Sequence, residues 1–238
     1  MLKKINFSKK GIIFDFDDTL INSKPGKDKA LKIISGQIYS YFKKKKAKVN
    51  LNKLYQEIKT LAIQMDARGI YNRNLWWSRV IKKFLKEKPS KSFLDEVTKN
   101  YWEMVIKKSS LYKDTSSTLV YLKKKKYTLG LLTDADGIKE FKLKRIRASN
   151  LKKWFDSIII AGDDIKQIKP DKAPFSLIAR KLNLKPQKCI FVGDDLYRDI
   201  LGAKRSGMTA ILIKRRNGKM KVKPDRIIKK LSELKEIL

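Results

Sequence analysis

At four places in this 238-residue chain, short apolar runs lead into carboxylates, a threonine hydroxyl or a lysine. The segments are Gly11-Ile-Ile-Phe-Asp15-Phe-Asp17-Asp-Thr19-Leu, Leu129-Gly-Leu-Leu-Thr133-Asp134, Lys169-Pro170, and Cys189-Ile-Phe-Val-Gly193-Asp194-Asp195 with Asp199 beyond it. Cleaving a phosphate monoester needs a nucleophile in line with the leaving oxygen, an acid to protonate that oxygen, and positive charge around the other phosphate oxygens. Asp15 and Asp17 can supply the first two.

Apolar runs of four or five residues bounded by polar turns predict strands buried on both faces, as in parallel sheets, with helical patterns between them. Ligands of such open sheets sit beyond the carboxyl ends of the strands. The polar residues here follow their apolar runs, so all four segments are expected to converge at one edge of the sheet.

Composition removes several other chemistries. The chain has no histidine, which rules out Ser-His-Asp and Cys-His nucleophile systems and leaves zinc few of its usual ligands. A catalytic metal must then take oxygen ligands, and clustered aspartates point to Mg2+. Neither G-x-x-x-x-G-K-[ST] nor G-x-G-x-x-G occurs. Cys189, the single cysteine, falls in a strand-like run and reads as a small buried thiol. No apolar run approaches the ~18 residues that span a bilayer, and no signal peptide is apparent, so a cytoplasmic setting is expected.

On these motifs the chain resembles the haloacid dehalogenase (HAD) superfamily of phosphohydrolases. Asp15, Asp17 and Thr19 match its Asp-x-Asp-x-Thr motif, Thr133 its strand-terminal Thr or Ser, Lys169 with Pro170 its lysine, and Gly193, Asp194 and Asp199 its Gly-Asp pair with a later Asp. The resemblance implies an α/β fold, a Rossmann-like parallel sheet core with an inserted helical bundle cap. It implies that Asp15 attacks phosphorus to form an aspartyl-phosphate. Asp17 would protonate the leaving group and then activate the hydrolytic water; HAD dehalogenases lack this second Asp. Mg2+ would lie among Asp15, Asp194 and the phosphate, with the backbone carbonyl of Asp17 as a further ligand. Asp195 or Asp199 would complete that site or hold Lys169. Thr133, Asp134 and Lys169 would bind the phosphate, with Lys166 the lesser substitute for Lys169. Thr19 is expected to fix the turn through its hydroxyl. Asp18 stands where the family often has Gly, Asn22 where Asp is common, and Asp134 where Asn is frequent.

Residues 1–22 and 109–238 are expected to form the HAD core, and 23–108 a helical C1 cap. Within the latter, Leu31, Ile34, Ile38 and Tyr41, then Leu51 to Met65, then Trp76, Val80 and Phe84, then Phe93, Val97, Tyr101 and Met104 follow the 3.6-residue period of four amphipathic helices. Beyond residue 114 the pattern predicts helix 115–126, strand 128–133, helix 138–148, strand 157–161, helix 173–183, strand 189–193, helix 196–206 and strand 209–213. A short strand near Asp225 to Ile228 and a terminal helix follow. Trp76, Trp77, Arg68, Arg73 and Arg79 could grip a sugar or base, but the favoured reading places at least one Trp in the cap core and the arginines on the surface.

Lys plus Arg number 58 against 24 Asp plus Glu, for a formal charge of +34. Only 11 of those cations are arginine, and the lysine runs at 43–46, 82–83, 107–108 and 123–126 fall toward helix ends, where the helix dipole favours them. The excess reads as a solvated surface, and any nucleic-acid binding is expected to be non-specific and salt-sensitive. The combined expectation is a Mg2+-dependent phosphatase acting on a small phosphorylated metabolite, with no membrane association. A phosphomutase and a nucleic-acid-binding protein on a HAD scaffold are the alternatives.

Overall fold

Alternate residues of the apolar runs face opposite sides of one sheet. Ile12, Phe14, Leu129, Leu131, Ile190, Val192, Ile211 and Ile213 enter one core cluster, and Ile13, Leu132, Ile159, Phe191, Ala210 and Leu212 the other. This double burial is what a parallel sheet covered by helices requires. The computed structural model describes residues 11–215 and 222–238. Residues 1–10 and 216–221, which fall in the expected core segments, lie outside the described residues.

The described residues divide into two units. One comprises those up to Asn22, Ser110–Ala135 and Lys142–Leu238; the other comprises Ser23–Ser109 and Asp136–Phe141.

The first unit holds a six-stranded sheet of β1 (Gly11–Phe14), β4 (Thr128–Asp134), β5 (Ser157–Ala161), β6 (Cys189–Gly193), β7 (Thr209–Ile213) and β8 (Arg226–Ile228), in the order β5-β4-β1-β6-β7-β8. Every neighbouring pair is parallel. The chain builds outward from β1 in both directions, so β1, β4 and β6 share a central position where the strand order reverses. The helices α5 (Thr115–Lys124), α6 (Phe141–Ala148) and α9 (Leu234–Ile237) send Leu119, Leu122, Ile146, Leu234 and Ile237 into one cluster. Phe175, Ile178 and Ala179 of α7 (Lys172–Lys181) and Ala203 of α8 (Gly202–Arg205) enter the other. A two-stranded antiparallel ribbon, β2 (Ile21–Asn22) with β3 (Ser110–Leu111), brings together the two points where the chain leaves and re-enters this unit.

The second unit contains α1 (Lys24–Lys44), α2 (Leu51–Ala67), α3 (Arg73–Leu85) and α4 (Lys91–Lys108). Asn50, Asn72 and Ser90 cap α2, α3 and α4 by accepting hydrogen bonds from the Lys53, Asn74 and Phe93 amides. Gly26 lets α1 approach α4: a Cβ there would lie 2.7 Å from the Val105 carbonyl oxygen. Lysines occupy the last turns of α1, α3, α4 and α5, the dipole-favoured positions.

Three local features differ from the sequence expectation. The helix expected from 138 begins at Phe141, because Gly137 (φ +82°) and Glu140 (φ +70°) adopt left-handed conformations that a right-handed helix excludes. The helix expected over 196–206 opens with a widened turn across Leu196–Leu201, where the Ile200 amide donates five residues back to the Asp195 carbonyl at 3.1 Å. Arg73, expected on the surface, is 3% exposed. Its guanidinium lies 3.4 Å from the Trp76 ring centroid, faces Tyr101 and Trp102, and meets Asp66 at 3.3 Å. Trp76 and Trp77 are both core residues, and Arg68 and Arg79 are exposed.

Stacking on three aromatic rings makes Arg73 a packing element of the helical unit, so Arg73→Ala should lower unfolding stability by about 2–4 kcal/mol. Arg79→Ala should stay within about 0.5 kcal/mol of the parent. Urea unfolding of both variants checks this, and equal effects would remove the packing role.

Candidate active site

The residues that end β1, β4 and β6 meet at the carboxyl edge of the central strands. Asp15 directly follows β1, its amide donating to the Val192 carbonyl of β6 at 2.9 Å. Asp18 has φ +59°, the left-handed geometry that accounts for the glycine common there in the resembling family. Backbone bonds close this turn, from Asp18 N to Ile21 O at 2.7 Å and from Leu20 N to Phe16 O at 3.1 Å. The Thr19 hydroxyl does not fix the turn as expected. It is buried, and its Oγ1 has no hydrogen-bond partner among the described residues.

Lys169 joins two carboxylates. Its Nζ lies 2.7 Å from Asp15 Oδ1 and 2.7 Å from Asp199 Oδ1, all three side chains being buried. The Asp134 carboxylate accepts the Lys169 backbone amide at 3.1 Å, so this side chain fixes the loop that delivers the lysine. Lys166 is exposed. Thr133 is buried at the end of β4, one strand over from Asp15.

The alternatives left open for the fourth segment separate in the structure. Asp195 accepts from the Tyr197 and Arg198 amides as the cap of the widened turn, whereas Asp199 turns back to Lys169 and accepts the Asp195 amide at 3.1 Å. Gly193 makes room for that return, since a Cβ there would lie 2.3 Å from Asp199 Oδ2. Carboxylate oxygens of Asp15, Asp194 and Asp199 all lie within 4.8 Å of one another. An all-oxygen, largely buried set suits a hard divalent cation.

Electrostatics points the same way. Burial raises the Asp15 and Asp199 carboxyls against the opposing pull of Lys169, and Asp199 reaches about 7. Burial alone would lower the Lys169 ammonium, but Asp15, Asp199 and Asp134 together hold it well above its ordinary value. One lysine offsets the burial of the two carboxyls only in part, so the group favours further positive charge.

Asp17 has its own pair of cations, although its charge is still felt at Asp15. Lys142 Nζ donates to its Oδ2 at 2.6 Å, Arg145 Nη1 to Oδ2 at 3.0 Å, and Arg145 Nη2 to Oδ1. Sequence reasoning overlooked both cations. Their spacing of three residues on one helix face was the available signal, and it was lost among many other lysines.

A family model described as haloacid dehalogenase-like hydrolase matches residues 9–207. The chain belongs to this family. It is 27% identical over 216 residues to a phosphoglycolate phosphatase of Escherichia coli O157:H7, covering 85% of this chain and 80% of that one. It is 35% identical over 102 residues to a glyceraldehyde 3-phosphate phosphatase of Methanothermobacter thermautotrophicus, covering 43% and 44% of the two chains. The crystal structure of a HAD phosphatase from Thermococcus onnurineus superposes with a TM-score of 0.73 at 24% identity, over 96% of this chain and 97% of the other. The HAD-like α/β fold expected from the motifs is thus established, and with it a hydrolase. Among the described residues no helix is long and apolar enough to cross a membrane.

The raised Asp199 carboxyl has a stability consequence. Between its ordinary value of 3.8 and about 7, the folded protein retains a proton that the unfolded chain releases. Its contribution is therefore full below about pH 4 and lost as pH rises through about 7. Denaturant unfolding of chelator-treated protein at pH 5 and pH 8 should show a smaller loss at pH 8 for Asp199→Asn than for the parent. Equal losses would contradict the assignment.

Proposed function

We propose that the protein is a Mg2+-dependent phosphatase that hydrolyses a small phosphate monoester through an aspartyl-phosphate on Asp15. The observation carrying this reading is the convergence of Asp15, Asp194 and Asp199 within 4.8 Å, with Lys169 bridging Asp15 and Asp199. Membership of the hydrolase family and the phosphatase names of its relatives make it a phosphoric monoester hydrolase. Those relatives are named for phosphoglycolate and glyceraldehyde 3-phosphate, which supports a small phosphorylated metabolite as substrate.

In this reading Asp15, Asp194 and Asp199 hold Mg2+. When bound, the ion neutralises the repulsion between the carboxylate nucleophile and the phosphate dianion. Lys169 offsets charge on Asp15 and on the transferring group, and Thr133 donates its hydroxyl to a phosphate oxygen. Asp134 keeps Lys169 in place. Asp15 attacks phosphorus while Asp17 gives a proton to the departing alkoxide; Asp17 then takes a proton from the water that cleaves the aspartyl-phosphate. The helical unit, inserted directly after the first motif, acts as the cap that selects the substrate.

Asp15→Asn should reduce phosphate release by at least about 10⁴-fold with the fold intact, since an amide cannot form the acyl-phosphate. Asp194→Ala should abolish activity or sharply raise the Mg2+ requirement. Inorganic phosphate assays over small sugar phosphates, phosphoglycolate and nucleotides, with Mg2+ or with EDTA, test both. An active Asp15→Asn protein or a chelator-resistant parent would overturn the reading, and transfer of phosphate between hydroxyls without net release would favour a mutase.

A further inference from the structure

The carboxylates at the strand ends are sorted by two sets of cations. Lys169 takes Asp15 and Asp199, and the α6 pair takes Asp17. Lys142 and Arg145 are three residues apart and reach the same carboxylate, and the Phe16 ring lies 5.9 and 5.6 Å from their charged groups. Their side chains are only 4% and 2% exposed, against 19% for Asp17, so Asp17 is the member of the trio that a substrate reaches first.

We propose that Lys142 and Arg145 are positioning residues for Asp17, fixing the plane of its carboxyl group and its orientation toward the leaving group. This rests on the phosphatase reading above. A carboxylate two residues from Asp15 and beside a divalent-cation site is otherwise free to turn onto the ion. The planar guanidinium spans both Asp17 oxygens and fixes the plane of the carboxylate, which a single ammonium cannot do. Lys142 adds a second donor on Oδ2. Burying two cations costs several kcal/mol each unless they are paired, and the three donor contacts they make to the half-buried Asp17 carboxylate restrict its rotamer.

The test is leaving-group dependence. General acid assistance is worth about 10²–10⁴-fold where the leaving oxygen needs a proton and little where it does not. For wild type, Asp17→Asn, Lys142→Met, Arg145→Met and Arg145→Lys, kcat/KM is measured on glycerol 2-phosphate, an alkyl ester, and on 4-nitrophenyl phosphate, whose leaving group departs without a proton. Arg145→Met should reproduce the Asp17→Asn pattern, losing about 100-fold or more on the alkyl ester and less than about ten-fold on the aryl ester. Lys142→Met should shift the same way by less. Arg145→Lys, which keeps the charge and loses the fork, should recover part of the alkyl activity, and it carries the test alone if Arg145→Met does not fold. Equal losses on both esters in the α6 variants, with Asp17→Asn still separating them, would reduce the pair to a structural role and overturn the proposal. Failure of Asp17→Asn itself to separate the esters would overturn the acid role on which it rests. A wild-type protein that releases phosphate from neither ester, nor from the sugar phosphates, phosphoglycolate and nucleotides named above, would overturn the phosphatase reading instead.

Discussion

The ammonium of Lys169, wedged 2.7 Å from both Asp15 and Asp199 in a buried setting, is the contact on which the rest of the site depends. A single positive charge faces two desolvated carboxylates, with Asp134 and Asp194 close by. Burial drives the carboxyls toward their neutral forms and the lysine holds them back only in part, which leaves Asp199 near 7. Such a group has a deficit of positive charge, and a divalent cation fits it. The features that look incidental elsewhere serve this arrangement: the glycine at 193 that admits Asp199, the widened turn after Asp195, and the Asp134 clasp on the Lys169 backbone.

The parallel sheet supplies the geometry. Its central strands are short and buried on both faces, so the first polar residue beyond each apolar run is pushed to the edge. Because β4 and β6 flank β1 in register, Asp15, Thr133 and Asp194 emerge side by side although they are far apart in sequence. Two cation sets then divide the carboxylates, Lys169 on one side and the α6 pair on the other. In the mechanism proposed here this division gives nucleophile and acid different cation partners.

The strands, their ends and the Lys169 position were legible because each rests on a local pattern: apolar run, polar terminus, Lys-Pro. The choice between Asp195 and Asp199 was not, since it turns on a widened helical turn that no composition signal marks. Lys142 and Arg145 escaped notice for a related reason. Their partner Asp17 lies about 125 residues earlier, and in a chain with 58 basic residues their three-residue spacing does not stand out. Arg73 was misplaced because an arginine is ordinarily exposed; three aromatic rings contributed by two helices reverse that preference, and only the packing of α3 on α4 brings them together. The Thr19 hydroxyl was assigned a turn bond that the backbone amides of Asp18 and Leu20 already supply.

If the charge deficit around Lys169 is what a metal fills, binding must lower the raised Asp199 carboxyl and release the proton it carries below about pH 7. Calorimetric titration of Mg2+ into metal-free protein at pH 6.5, in two buffers of different ionisation enthalpy, measures that proton directly. With Asp199 near 7, roughly 0.5–1 proton should be released per ion bound, and the release should fall in Asp199→Asn. Binding with no proton release, or release unchanged by Asp199→Asn, would contradict the account.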